Sequence, residues 1–290
     1  MAVDAWPLTV FSKPWQTMSL AELAKFVKDL GLNGVELPVR PGYQVEPDNI
    51  AKGLPEAVKV FADNGVKIGS VAAGTDAATI AACGECDVPI IRVCLCIDMN
   101  IGYMASEKNI RDHYDALVPS LEQGGVAVGV QNHCDYCVGS AIGIMHLIED
   151  YDPKQVCAVL DMAHCAVDGE PEVMAIDICW SHLRLVNFKS AFHTRVNGPE
   201  AVEAQYAVHW STCHHSGYSW SKAVNALKVR GYEGDICLPA EYNAPTGGQL
   251  MEMEVPRLLR EDIAYIKFLM AQPAGEVENK ITDWQSAGPK

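Results

Sequence analysis

The feature that most constrains this chain is a unit of one short apolar strand and one amphipathic helix that recurs eight times. The unit is about 30 residues long. The first predicted strand is Leu8 to Phe11, and the last is the run GDICLPAEY at residues 234–242. Regular alternation of strands and helices indicates parallel βα units, and eight of them fit a closed barrel better than an open sheet. We therefore predict an α/β fold, a single (β/α)8 TIM barrel over residues 1–272, with a polar tail over residues 273–290.

Local signals support this division of the chain. Ser19 and Glu22 form a predicted capping box at the start of the first helix, and residues 255–270 carry the apolar stripe of the last one. The segment 191–218 has no clear period and is expected to be a long loop. No Gly-rich dinucleotide loop follows the first strand and no GxxxxGK[ST] motif occurs, so no nucleotide cofactor is predicted.

Composition excludes several classes of function. A formal charge of −15 argues against nucleic acid as a partner, because phosphate binding depends on clustered Lys and Arg. No apolar run approaches the roughly 20 residues of a membrane helix, and no secretory signal is visible, so we expect a cytoplasmic protein without membrane contact. The eleven cysteines are accordingly expected to be reduced thiols. The pairs Cys83/Cys86 and Cys134/Cys137 are interpreted as incidental rather than as a zinc site.

Polar side chains follow the fifth and sixth predicted strands where each strand ends. Gln131, Asn132 and His133 come after the first of these strands, and Asp161 and His164 come after the second. The carboxyl ends of neighbouring parallel strands meet at one edge, so these side chains are expected to converge. The sequence therefore predicts an active site at this end of the barrel.

Several strand-end motifs resemble the sugar isomerase and epimerase families that share the xylose isomerase-like barrel. The motifs are GLNGVELPVR (31–40), GVQNH (129–133), LDMAH (160–164), LVNFK (185–189) and YEGDICLPAEY (232–242). The resemblance extends from about Leu8 to Met270. It implies a TIM barrel enzyme that acts on a sugar.

The resemblance also implies a divalent metal held by Glu, Asp, His and Glu at the ends of strands five to eight. These positions fall here on Gln131, Asp161, Asn187 and Glu241, which are two carboxylates and two amides. Such hard oxygen ligands suit Mn²⁺ or Mg²⁺ better than zinc, and we expect Mn²⁺, with Mg²⁺ as the alternative. The competing interpretation is that Asp161 and Asn187 only cap strands and that no metal binds.

The amide at position 131 changes the expected reaction. An epimerase needs an acid/base group on each face of the substrate, and Gln131 cannot accept a proton. Removal of a proton from one face needs a single base, and an imidazole suits that role near neutral pH. We predict His133 as general base and His164 as a second acid/base or a ligand for a substrate hydroxyl. Each could instead be a structural histidine.

One-face proton removal favours a metal-assisted carbohydrate lyase. A weaker resemblance to the catalytic subunits of C-glycoside deglycosidases implies proton abstraction next to the carbonyl of a 3-keto-glycoside with release of the aglycone. It also implies a small second subunit. The alternatives are a sugar isomerase or epimerase that transfers a proton next to a carbonyl, and a non-catalytic binding protein that has lost its metal.

Four further residues are predicted to bind the substrate. Lys189 follows Asn187 by two positions and should point to the same side of its strand; its alternative is a buried pair with a carboxylate. Glu36 and Arg40 lie near the end of the second strand and could instead pair with each other. Trp210 could stack on a sugar ring or pack the long loop against the barrel.

Overall fold

In the computed structural model, which describes residues 6–245 and 247–278, eight parallel strands close into a barrel, as predicted. Each barrel strand pairs with two neighbours, and closure comes from pairing of the first strand with the last, Leu8 opposite Ile236. The barrel strands are β1 (Leu8–Phe11), β2 (Gly34–Pro38), β3 (Lys67–Ala72), β4 (Ile90–Cys94), β5 (Ala127–Gln131), β6 (Val156–Asp161), β7 (Leu183–Asn187) and β10 (Asp235–Leu238).

Helices follow the strands along the chain and cover the outside of the barrel. They are α1 (Leu20–Asp29), α2 (Ile50–Asp63), α3 (Ala77–Glu85), α4 (Tyr103–Gly124), α5 (Ala141–Ile148), α6 (Met162–Asp168), α7 (Glu172–Cys179), α8 (Trp220–Arg230) and α9 (Val255–Met270). The predicted capping box is present at α1, where the Ser19 hydroxyl accepts from the Glu22 amide and the Glu22 carboxylate accepts from the Ser19 amide. No helix of the described residues is long and apolar enough to cross a bilayer.

The barrel interior is closed by a small apolar cluster, separate from the large core between strands and helices. The interior cluster consists of Phe11, Ala72, Ile90, Val159, Leu185 and Cys237. Gly129 on β5 makes room for it, because a Cβ there would lie 2.6 Å from a Val159 methyl and 2.8 Å from an Ile90 methyl. The barrel interior is therefore filled by side chains, and the barrel is open at the carboxyl ends of its strands.

Two elements were not predicted from the sequence. The segment expected to be a loop contains an antiparallel hairpin of β8 (Ser190–Arg195) and β9 (Tyr206–Ser211). Much of this hairpin is exposed on both faces, which explains the missing apolar period. The short helix α6 begins directly after β6. Residues 279–290 of the predicted tail lie outside the described residues.

Candidate active site

A cavity of about 150 Å³ opens at the carboxyl ends of the barrel strands. A larger cleft of about 470 Å³ lies at the opposite end, beside Lys67 and Asp235, where strands begin. Catalytic groups of TIM barrels lie at the carboxyl ends of strands, so the smaller cavity is the candidate site. It is lined by Phe11, Lys13, Arg40, Arg92, Cys94, Gln131, His133, Asn187, Lys189, Pro239 and Glu241.

Lys189 is the centre of a buried ionic cluster in this cavity. Its Nζ lies 2.7 Å from Oε2 of Glu241 and 3.4 Å from Oδ2 of Asp161. Lys13 approaches the other oxygen of Glu241, with 2.6 Å between Nζ and Oε1. Burial alone would lower the pKa of Lys189, but Asp161 and Glu241 raise it above its ordinary value. A permanent ammonium group therefore bridges the two carboxylates.

The same cluster also determines the ionisation state of Glu241. Burial would raise the pKa of this carboxyl, whereas the charges and hydrogen bonds of Lys189 and Lys13 lower it well below its usual range. Glu241 is consequently a fixed anion between two cations and a weak proton acceptor.

The four predicted metal ligands do not fit a divalent ion in this arrangement. Gln131 presents its amide group to Asp161, with 2.8 Å between Nε2 and Oδ2. Both carboxylates already contact the Lys189 ammonium. Among the four residues, only Asn187 has a buried side-chain oxygen without a hydrogen-bond partner in the described part of the chain. A single free amide oxygen beside two ammonium groups is a poor donor set for Mn²⁺ or Mg²⁺, which need several oxygen ligands.

Asp161 also fixes the local backbone. Its Oδ1 accepts from the amides of Ala163 and His164, at 3.0 and 3.3 Å, and so caps α6. Asn132 clamps Asp161 to the end of β5, because its Oδ1 accepts from the Asp161 amide at 2.6 Å and its Nδ2 donates to the Asp161 carbonyl at 3.0 Å. Asn132 was expected among the polar groups of the site, but this contact with the Asp161 backbone was not predicted.

His164 is buried, and its Nδ1 is engaged by a backbone amide. Nδ1 accepts from the Cys134 amide at 3.0 Å, so the hydrogen of the neutral ring is on Nε2. Nε2 lies 3.2 Å from Nζ of Lys189, which is a contact between two donors and not a hydrogen bond. Burial and the adjacent Lys189 lower the pKa of His164 far below its ordinary value. The imidazole therefore stays neutral, with no free lone pair on a ring nitrogen.

His133 lines the cavity and differs from His164 in having a ring nitrogen, Nε2, without a hydrogen-bond partner among the described residues. Its Nδ1 lies 3.0 Å from the Cys134 carbonyl oxygen. A carbonyl can only accept, so Nδ1 carries the hydrogen and Nε2 keeps its lone pair. The ring lies 4.1 Å from that of His164, between centroids, and lines the cavity. His133 is thus a histidine with an available proton-accepting nitrogen at the site.

The ligand atoms of His133, Cys134 and His164 lie within 4.8 Å of one another. Three such atoms could hold a soft metal ion in principle. Here Nδ1 of His164 is engaged by the Cys134 amide, and Nε2 faces the Lys189 ammonium, whose charge would repel a metal ion. Two remaining ligands are too few for a zinc site.

Glu36 pairs with Arg92 and not with Arg40. Glu36 accepts from Nε of Arg92 at 3.1 Å and contacts Nη2 of the same guanidinium. Its other oxygen accepts from the Ser70 hydroxyl at 2.9 Å. The alternative of a Glu36–Arg40 pair is therefore wrong, and the Arg40 guanidinium lies instead 5.6 Å from the centre of the Phe11 ring. Arg92 was missed, although an arginine within the apolar run IIRVCLCI was a signal.

Trp210 lies on β9 and forms a wall beside Lys189. The Lys189 ammonium lies 4.3 Å from the centre of the indole ring, a cation–π distance. The His164 ring meets the same indole edge to face, with 5.1 Å between centroids. The hairpin thus packs an aromatic side chain against the charged cluster.

A disulfide joins two loops at this end of the barrel. Cys96, after β4, is bonded to Cys137, after β5, and the Ile97 amide donates to the Tyr136 carbonyl at 2.7 Å. The expectation that all cysteines are reduced is wrong for this pair, because adjacency of β4 and β5 brings the two loops together. The other nine cysteines are free.

The sequence profile of the family described as "xylose isomerase-like TIM barrel" matches residues 24–269. The chain belongs to this family. No curated protein matches its sequence.

Solved structures share the fold of this xylose isomerase-like barrel at low identity. D-psicose 3-epimerase from Clostridium cellulolyticum H10 is 13% identical, with a TM-score of 0.68 over 91% of this chain and 99% of its own. 3-Keto-D-glucoside 4-epimerase from E. coli is 12% identical, with a TM-score of 0.66 over 91% and 99%. A xylose isomerase-like TIM barrel protein from Mycobacterium smegmatis, solved with magnesium, is 15% identical, with a TM-score of 0.66 over 93% and 98%.

Proposed function

We propose that this barrel is a carbohydrate-modifying enzyme that abstracts a proton next to the carbonyl of an oxidised sugar. Its sharper form is a lyase of the C-glycoside deglycosidase type, which releases the aglycone of a 3-keto-glycoside. Family membership and a structural neighbour named for a 3-keto-D-glucoside support an oxidised sugar as substrate. The observation that carries the proposal is the free Nε2 of His133 in a cavity that also holds the Lys189 ammonium.

His133 is the general base in this reaction. Its Nε2 takes the proton from the carbon next to the ketone, while Nδ1–H stays bonded to the Cys134 carbonyl. That carbonyl fixes the tautomer and stabilises the imidazolium that forms, because its dipole faces the positive ring. A positioned base of this kind contributes about 10²- to 10⁴-fold in rate.

Lys189 stabilises the negative charge that develops on the ketone oxygen. Its ammonium is held in place by Asp161 and Glu241, so no reorganisation is needed when the enolate forms. The unpartnered oxygen of Asn187 is available to accept a hydrogen bond from a sugar hydroxyl. The Mn²⁺ or Mg²⁺ expected from the sequence has no role in this reaction, because the Lys189 ammonium already bridges Asp161 and Glu241.

The site supports elimination better than epimerisation. Once His133 holds the proton, the enolate returns to a ketone, and its carbon electron pair forms a double bond to the carbon that carries the aglycone. The bond to the aglycone breaks, and the aglycone leaves with the electrons of that bond and takes the proton from the His133 imidazolium. Epimerisation would need an acid on the opposite face. Gln131 has no acidic proton near neutral pH, and Glu241 is held ionised by two lysines. The structural neighbours named as epimerases keep isomerisation or epimerisation as the second candidate.

The test is to incubate the purified chain in D₂O with a 3-keto C-glycoside or 3-keto C-glucuronide, alone and with a small second subunit of the kind that the deglycosidase resemblance implies. Released aglycone supports the lyase, and deuterium on the sugar without release supports the epimerase. His133→Ala should lower either rate by about 10²- to 10⁴-fold, whereas His215→Ala, an exposed histidine outside the cavity lining, should not. Equal rates for wild type and His133→Ala would reject the proposal.

A further inference from the structure

Arg40 is a cation of the cavity whose charge is not matched by a carboxylate. It follows β2 and lines the cavity, with its guanidinium beside the Phe11 ring. Within residues 6–245 and 247–278, no carboxylate forms an ion pair with it, because Glu36 is taken by Arg92. A half-buried guanidinium with no anionic partner is suited to bind an anion from outside the protein.

The charges around the cavity sum to a positive excess. Among the described residues, four cations line it, namely Lys13, Arg40, Arg92 and Lys189. The carboxylates that pair with them are Glu36, which takes Arg92, and Asp161 and Glu241, which share Lys189 and Lys13. Four positive groups against three negative ones leave about one unit of positive charge, and it resides on Arg40. In a chain with a net charge of −15, this local sign is opposite to that of the whole protein.

The backbone that carries Arg40 is held rigidly. The Arg40 amide donates to the Val45 carbonyl at 3.2 Å, and its carbonyl accepts from the Tyr43 amide at 3.1 Å. The Tyr43 hydroxyl donates to the Lys13 carbonyl at 3.3 Å, and the side-chain Nε2 of Gln44 donates to the Trp15 carbonyl at 2.8 Å. These hydrogen bonds join the loops after β1 and β2, and they position Lys13 and Arg40 before a ligand binds.

We propose that the substrate of this site carries an anionic group that pairs with Arg40. The part of this proposal that concerns the reaction rests on the proposed function. The anion site itself depends only on the unpaired charge of Arg40 and on its place in the cavity. The planar fork of arginine binds carboxylates and phosphates through two parallel hydrogen bonds. The substrate class is therefore an oxidised sugar that is also an acid, with a carboxylate as in a uronic acid or a phosphate ester.

The test compares binding of D-glucuronate, D-glucose 6-phosphate and neutral D-glucose to the purified chain by calorimetry at low ionic strength. At least one anion should bind about tenfold or more tightly than glucose, the size expected for a charge-assisted hydrogen bond. The two anions separate a carboxylate from a phosphate ester. Arg40→Gln should reduce the affinity for that anion to the level of glucose, and Arg257→Gln, an exposed arginine on α9, should leave it unchanged.

Arg40→Lys is a second variant that controls for a folding defect, because it keeps the positive charge and loses only the planar guanidinium. It should bind the anion with an affinity between those of wild type and Arg40→Gln. Affinities for both anions equal to that for glucose, no anion binding at all, or undiminished anion binding by Arg40→Gln would overturn the anion site. His133→Ala should bind the anion normally. Anion binding with no proton abstraction would instead reject the proposed reaction and leave the anion site standing.

Discussion

Two ionic clusters face each other across the mouth of the barrel, and they differ in how fully their groups are satisfied. On the β2–β4 side, Glu36 is saturated by the Arg92 guanidinium and the Ser70 hydroxyl. On the β6–β10 side, Lys189 bridges two carboxylates next to the free Nε2 of His133. The same kind of interaction therefore serves the scaffold on one side and leaves groups available for chemistry on the other.

The largest expected effect is on stability, from breaking the saturated pair. Glu36→Gln leaves the buried guanidinium of Arg92 without a counter-charge. Loss of one partner of a buried pair typically costs about 3–5 kcal/mol, so the free energy of unfolding should fall by that amount in a urea titration. A loss below about 1 kcal/mol, the usual range of an exposed pair, would show that this pair is not part of the scaffold.

The next effect is on rate, from the opposite cluster. Lys189→Met removes the ammonium that faces the developing enolate, and the rate of proton abstraction should fall by about 10²- to 10³-fold, as for loss of an oxyanion-hole donor. It should destabilise the fold less than Glu36→Gln, because Glu241 keeps Lys13 and Asp161 keeps the Gln131 amide. The two variants should therefore separate stability from rate. A normal rate in folded Lys189→Met would remove Lys189 from the mechanism.

The smallest effect is expected at Lys13, which is more exposed than Lys189. Its side chain retains 27% of its accessible surface, so Lys13→Met should lower the free energy of unfolding by about 1 kcal/mol or less. Thermal denaturation of this variant beside Lys25→Met, whose pair with Asp29 is exposed, provides a matched control. A loss as large as that of Glu36→Gln would mean that Lys13, and not Lys189, holds the cluster together.

The sequence was most informative where local chemistry is regular. The strand and helix repeat predicted the barrel, and Ser19 with Glu22 predicted a helix start that the structure confirms. The polar groups at the ends of β5 and β6 were also expected to meet at one edge, and Gln131 does contact Asp161.

What the sequence could not provide was the partner of each charge. Family spacing placed a metal among Gln131, Asp161, Asn187 and Glu241, but Lys189 reaches into that space from two residues beyond Asn187. Partner choice across 50 residues or more, as in Glu36 with Arg92, depends on barrel geometry that no local pattern encodes. The β8–β9 hairpin was missed because its strands pair with each other and much of their surface is exposed, so no alternation of apolar residues marks them in the sequence.

The most direct test of the central claim is the metal dependence of proton abstraction. Protein freed of metal with a chelator, and verified by elemental analysis, should still exchange the proton next to the ketone of a 3-keto-glycoside or 3-keto-glucuronide with D₂O, and Lys189→Met should exchange it about 10²- to 10³-fold more slowly. Exchange that is absent until Mn²⁺ or Mg²⁺ is added, with one ion retained per chain, would contradict the claim that Lys189 supplies the positive charge of this site.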